Sequence, residues 1–365
     1  IEQSWYIATG EIQDYPEYEY RGSMLDVARH FFSVEDVKRY IDLLAAYKLN
    51  TLHLHLSDDQ GWRIEIKSWP NLTARGSKTQ VGGGEGGFYT QEEYKDLVSY
   101  AAERYITIIP EIDMPGHTNA ALASYPELNC DGKATELYSG TEVGFSTLCT
   151  DKEITYEFVD DVVRELAAMT PGEYIHIGGD ESHVTAIEDY IPFINRVEKI
   201  VLAHGKKVMG WDEIALADIN ENTVVQFWAR TENALKGVEK NGKVLMSPAK
   251  KTYLDMKYDS LTKMGLSWAA TIELDSAYLW TPETYVKGIA KNDIFGIESP
   301  LWSETIETIE DIEYMAFPRI IGHSEIGWTP ASNRNWSDYI QRLSKHTERL
   351  KVMDVNYYNS KLLLK

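Results

Sequence analysis

The sequence predicts an α/β chain closed into a (β/α)8 TIM barrel, and three observations carry that prediction. Eight short apolar runs of strand type recur along the 365 residues, mostly separated by helical patterns or long loops. Repeated β-then-α units demand parallel strands joined by right-handed crossovers. Acidic and aromatic residues recur just after those runs, where a barrel builds its active site. No Gly-x-Gly-x-x-Gly follows the first run, which weighs against the runner-up, a doubly wound sheet.

Taken in order, the first strand candidate is 24–27. A helix follows that Ser33 caps and whose Val34, Val37, Tyr40, Ile41 and Leu44 share one face. Further strand candidates are 51–56, 106–109, 174–177, 207–210, 223–227, 244–247 and 295–298. Helical patterns cover 91–103, 154–169, 187–204, 231–240 and 309–321, and the stretch after Trp336 reads as a closing helix. Residues 1–20 form a lead-in with no place in the barrel, which is therefore assigned to 21–365. The glycine-rich stretch 81–87 lacks the Lys-Ser/Thr of a phosphate cradle and reads as a lid or connector.

Composition narrows the function classes. With 36 Lys+Arg against 57 Asp+Glu, the net charge of −21 argues against nucleic acid or an anionic membrane as partner. No stretch approaches the ~20 apolar residues of a membrane span. Ten Trp and 23 Tyr suit sugar faces, although they equally suit ordinary packing. The chain opens on Ile-Glu-Gln without Met or a signal-type apolar region, so a processed or excised chain is expected. Cys130 and Cys149 bracket one polar loop; this fits a disulfide in an oxidising compartment, with two unpaired thiols as the other reading.

The strongest chemical signal is His176-Ile-Gly-Gly-Asp180-Glu181, a strand ending in two glycines and two acids. Adjacent strand residues point to opposite faces, so both carboxylates reach one pocket only if the glycines turn the chain. Two crowded acids cannot both ionise easily, so one is expected to keep its proton near neutrality. A solvated acidic loop is the bland reading, and the other strand ends weigh against it. Asp58, Asp113, His117, Trp211, Trp228, Tyr253, Asp255, Trp302 and Glu304 all follow strand candidates, and Arg21 precedes the first.

His53 and His55, two apart on a strand, share a face and have the spacing of a metal-dependent hydrolase. Asp58, Asp113 and His117 would complete such a site. The pair comes before the strand's end, so interior packing with hydrogen bonds is the preferred reading, and no metal or other cofactor is expected. Serine or cysteine nucleophiles have no support, since there is no Gly-x-Ser-x-Gly.

Four motifs in order closely resemble the family-20 glycoside hydrolases, the β-N-acetylhexosaminidases. They are Arg21-Gly-Ser-Met-Leu-Asp-Val-Ala-Arg29-His30-Phe31, His53-Leu-His-Leu-Ser-Asp58-Asp59-Gln-Gly-Trp62-Arg63, Met114-Pro-Gly-His117 and His176-Ile-Gly-Gly-Asp180-Glu181. The likeness runs from about Trp5 to at least Trp336. Such proteins usually carry a small α+β domain before the barrel.

The resemblance implies retaining exo-hydrolysis of terminal β-linked GlcNAc or GalNAc, without a metal. The substrate's own acetamido oxygen would attack C1, forming an oxazolinium intermediate. By motif match, Glu181 would protonate the leaving oxygen and then activate water. Asp180 would accept from the acetamido N–H, and Tyr253 would donate to its oxygen. Trp211, Trp228 and Trp302 would wall the acetamido methyl. Arg21 would bind O3/O4, supported by Asp58, while Asp255 and Glu304 would close the O4/O6 side. Asp113 and His117 would form a pair tuning Glu181. The cysteine loop matches a disulfided loop of secreted relatives, so a secreted or periplasmic location is expected. Ser299-Pro300 stands where relatives more often have small residues, which leaves the GlcNAc/GalNAc preference open. A disaccharide-releasing lacto-N-biosidase and a silent sugar-binding barrel are the alternatives. The expected partner is a GlcNAc- or GalNAc-terminated glycan, and the oligomeric state is not legible.

Overall fold

The structure, a computed structural model, describes residue 7 and residues 9–363; residues 1–6 and 8 of the lead-in lie outside them. Eight parallel strands form a closed barrel in sequence order. They are β1 (Tyr20–Asp26), β2 (Thr51–His55), β3 (Thr107–Glu111), β4 (Tyr174–His176), β5 (Lys207–Trp211), β6 (Val224–Phe227), β7 (Lys243–Met246) and β8 (Ile294–Leu301). Closure is made by β1 on β8, with Gly22 opposite Glu298.

The larger helices are α1 (Val34–Ala46), α2 (Gln91–Ala102), α3 (Glu153–Met169), α4 (Ile187–Ala203), α5 (Thr231–Glu239), α6 (Ile309–Ala316), α7 (Arg319–Trp328) and α8 (Trp336–Val352). Ser33 caps α1, its hydroxyl accepting from Asp36 N while Asp36 answers the Ser33 N–H. Thr90 and Glu93 repeat the device at α2. The apolar faces read from sequence are buried as expected, with Val37, Tyr40, Ile41 and Leu44 at 0 % exposure.

Three differences from expectation bear on how the site is framed. The first strand begins at Tyr20, four residues early, because pairing with β8 starts there rather than at the apolar run. Part of the lead-in is docked, since Glu17 N and Tyr18 N donate to the carbonyls of Trp328 and Gly327. The single helix expected over 309–321 is two. Pro318 has no N–H to give and holds Phe317 extended, so α6 stops and α7 restarts after it.

Inside the barrel, side chains stack in layers from alternate strands. Tyr20, Ile109, Met209 and Leu245, from the odd strands, cluster with Val224 as an apolar floor. Above it the even strands contribute His53, His176, Gln226 and Glu298, all buried. Gln226 Nε2 lies 2.6 Å from Glu298 Oε1, and His53 Nδ1 lies 3.1 Å from the same oxygen. His53 is thus an interior packing residue, as the sequence suggested. Burial opposes its charge, but Glu298 and Glu111 push it up to about 9.

Candidate active site

At the carboxyl end of the barrel, β4 gives way to a chain reversal built on positive φ angles. Gly178 stands at φ 65° and Gly179 at φ 102°. A Cβ on Gly178 would lie 1.8 Å from Asp113 Oδ1, so only glycine fits there. The turn brings Asp180 and Glu181 to one cavity of about 250 Å³, as the double glycine predicted.

Of the two acids, Asp180 is the one that its surroundings push toward the protonated form. Burial first, and then the charge of Asp113, push it well above its ordinary range; Glu181 adds a lesser push. Asp113 is raised in the same way, by burial and then by Glu111. Asp113 Oδ1 accepts from Gly179 N at 3.0 Å, which fixes the turn beneath Asp180. Glu181 is half-buried on the cavity wall, with His117 Nε2 at 3.7 Å from its Oε2 and from Asp180 Oδ2. Asp113 and His117 therefore do not form a pair acting on Glu181. Asp113 serves Asp180, while His117 faces both acids and is held from behind by Asp58 at 3.1 Å.

Arg21 is not in the site. It is the second residue of β1, roughly 17 Å of strand below Asp26 at about 3.3 Å per residue. There its Nε donates to Lys48 O at 3.0 Å and its guanidinium packs on Trp328. The arginine at the mouth is Arg29, three residues past β1. It meets Asp58 at 2.8 Å and lies 4.8 Å from the Trp302 ring centroid. Asp58 accordingly supports Arg29 rather than Arg21. Burial works against the Asp58 carboxylate, but Arg29 and His117 hold it well below the usual range. Asp26 completes the placement by accepting from the Ala28 and Arg29 amides and from Ser303 N. A charge just past a strand end was the signal for Arg29, and it lay in the quoted motif.

Trp228, Tyr253 and Trp302 line the cavity with Glu304. Trp268, Thr141 and Val143 also line it, and sequence reasoning passed over all three because they sit in long loops away from strand ends. Trp211 lies behind the lining as a fully buried ring, 5.5 Å from Trp302, and its N–H donates to Glu111 Oε1 at 2.9 Å. Asp255 is buried beside Glu304; neither of its carboxylate oxygens has a hydrogen-bond partner among the described residues. Burial, followed by Glu304, drives it well above its ordinary range. Glu213, on the far side of Trp228, accepts from that indole at 3.1 Å and is pushed up to about 8 by burial and by Asp212.

Several acid and histidine groups approach each other closely enough to suggest a metal, including His53–Glu111–His176 and Asp113–His117–Asp180. In another such group, His55–Asp58–Asp113, His55 Nε2 lies 2.7 Å from Asp58 while its Nδ1 lies 2.6 Å from Glu111. Both nitrogens of His55 are committed to carboxylates, so they are not free to serve as ligands. The Cys130–Cys149 disulfide is formed. Stretch 81–87 is tied to the cysteine loop by Gly82 N donating to Ser139 O at 2.9 Å, so it is a connector.

A parallel barrel with an acid pair and indoles at its carboxyl mouth is a scaffold for cutting sugars. The description "Glycosyl hydrolase family 20, catalytic domain" matches residues 18–190 and 182–331, and the chain belongs to that family. It is 45 % identical over 338 residues to a β-N-acetylhexosaminidase of Cellulomonas fimi, covering 92 % of this chain and 68 % of that one. A β-hexosaminidase of Porphyromonas gingivalis is 36 % identical over 95 % of the chain, which spans only 48 % of that relative. Among solved structures, the family-20 β-N-acetylhexosaminidase of Streptomyces coelicolor superposes with TM-score 0.93 at 51 % identity, over 95 % of this chain and 72 % of that one. A mutant Streptomyces plicatus β-hexosaminidase in complex with product GlcNAc superposes with TM-score 0.94, also at 51 % identity, over 95 % and 71 %.

Proposed function

We propose that this chain is a retaining exo-β-N-acetylhexosaminidase that removes terminal β-linked GlcNAc or GalNAc by substrate-assisted catalysis. The observation that carries the reading is the division of labour in the acid pair. Asp180 is buried and backed by Asp113, whereas Glu181 stands half-buried on the wall of a cavity shared with Tyr253 and Trp228. Glu181 is placed to protonate a leaving oxygen and later to deprotonate water. Asp180 and Tyr253 are placed to grip the two ends of an acetamido group, the first at its N–H and the second at its oxygen. Indoles that stop the group from rotating give its oxygen a large effective molarity at C1.

Arg29 in place of Arg21 supplies the cation for the ring hydroxyls, and Glu304 with Asp255 supplies acceptors beside it. A cavity of about 250 Å³ takes one sugar ring rather than a chain, which favours exo action. The disulfide supports an oxidising compartment, hence a secreted or periplasmic protein.

The test is a chromogenic β-GlcNAc assay run beside the matching β-glucoside, with product stereochemistry followed by NMR. Cleavage of the first alone, with retention, is the expected result. Equal cleavage of the glucoside, or inversion, would overturn the mechanism, and no cleavage of either would leave a sugar-binding barrel.

A further inference from the structure

Glu181 holds a backbone conformation that a glutamate does not choose. Its φ is 44°, in the left-handed region, a strained state that persists only where surrounding contacts hold it. Its carboxylate accepts no hydrogen bond within reach among the described residues, since His117 stays 3.7 Å away. The direction in which this acid points is therefore set by the chain on which it rides.

That chain is clamped from the cysteine loop. Ser182 Oγ and Thr185 Oγ1 are 2.6 Å apart, and Thr185 Oγ1 is 2.7 Å from Thr147 Oγ1. His183 N donates to Glu181 O at 2.6 Å. Gly144, two residues past the exposed acid Glu142, lies flat against the same turn; a Cβ there would be 2.1 Å from His183 Nδ1 and 2.9 Å from Glu181 O. Thr147 is itself anchored, because Leu148 N donates to Pro115 O at 2.9 Å and Cys149 closes the loop to Cys130.

We infer that Thr185 is a positioning residue for the proton-donating acid: through its two hydroxyl contacts it joins residues 181–185 to the disulfide-closed loop and fixes where Glu181 points. This rests on the hydrolase reading above. A hydroxyl can bridge two neighbours because it both donates and accepts, which valine of nearly equal volume cannot do. Glu181 also activates water in the second step, but kcat/KM reports the first, where a displaced acid costs rate only if the leaving group needs a proton; that signature is one general loosening of the site lacks.

The experiment compares Thr185→Val and Thr185→Ser on two substrates, a β-1,4-linked GlcNAc disaccharide and a nitrophenyl β-GlcNAc whose leaving group needs little protonation. Thr185→Val is expected to lower kcat/KM on the disaccharide by roughly tenfold or more while changing kcat/KM on the nitrophenyl substrate less than about twofold. Thr185→Ser should restore the disaccharide rate. Unchanged rates, or equal losses on both substrates, would overturn the proposal. If circular dichroism shows Thr185→Val unfolded, Thr147→Val, which removes one contact from the opposite loop, is judged by the same criterion. Wild-type protein that cleaves neither substrate would refute the hydrolase reading itself.

Discussion

Arg29 and Asp58 meet at 2.8 Å with side-chain exposures of 4 % and 1 %, an ion pair almost wholly withdrawn from water at the mouth of the barrel. Removing Arg29 strips the buried Asp58 of its permanently charged partner and leaves it only His55 and His117, which costs up to about 3–5 kcal/mol. Arg29→Ala is therefore expected to lower the denaturation midpoint sharply and to raise KM. Arg21→Ala should leave KM unchanged, since that residue binds carbonyls at the other end. Thermal melts and steady-state kinetics of the two variants check this; a KM defect in Arg21→Ala alone would contradict the placement.

Glu181→Gln should reduce turnover by about 10²–10⁴-fold on glycosides with poor leaving groups, and far less on activated aryl glycosides. Asp180→Asn should impair both kinds, because a grip on the acetamido group is needed whatever leaves. Full activity in Asp180→Asn would contradict its assigned role.

Stability should fall with rising pH through two independent effects. His53 and His117 stand at about 9 and about 10 in the fold, against ~6.5 in an unfolded chain. Their protonated forms are favoured by folding, so their contribution is complete below about pH 6.5 and is lost as pH climbs through those folded values. Glu213 is raised to about 8 and penalises the fold as the unfolded chain ionises, from about pH 4.5 up to 8. Urea midpoints should decline from neutrality to pH 10. Glu213→Gln should flatten the part below pH 8. A midpoint independent of pH would refute both effects.

Gly178→Ala should be severe. Its φ of 65° costs an alanine about 1–3 kcal/mol, and the new methyl meets Asp113 Oδ1 at 1.8 Å. Because that carboxyl holds the turn under Asp180, loss of activity should exceed what a melt alone explains. Near-normal kinetics would show that the turn is dispensable.

How much of this was legible in the sequence depends on whether a residue's role is local. The double glycine before Asp180 and the cap at Ser33 are local signals, and the structure has each where it was expected. Barrel closure was readable from the alternation of runs because parallel pairing leaves few other solutions. Arg21 was misplaced because strand register is not local. The apolar run 24–27 hides the fact that pairing with β8 begins earlier, at Tyr20 opposite Gly296, which puts Arg21 at the base and Arg29 at the mouth. Trp268 was missed for a related reason, since it reaches the cavity from a long loop whose path no periodicity encodes. The break at Pro318 was available from proline chemistry, but the apolar pattern on both sides masked it.

One interior residue sets a limit on how this barrel can diverge. Glu111 receives His55 and Trp211 directly, at 2.6 and 2.9 Å, with His53 2.9 Å away. Any single replacement at its position strands several partners at once, so a lineage can leave this arrangement only by changing three or four positions together. Engineers who wish to recast the pocket should vary the rim and leave that hub alone.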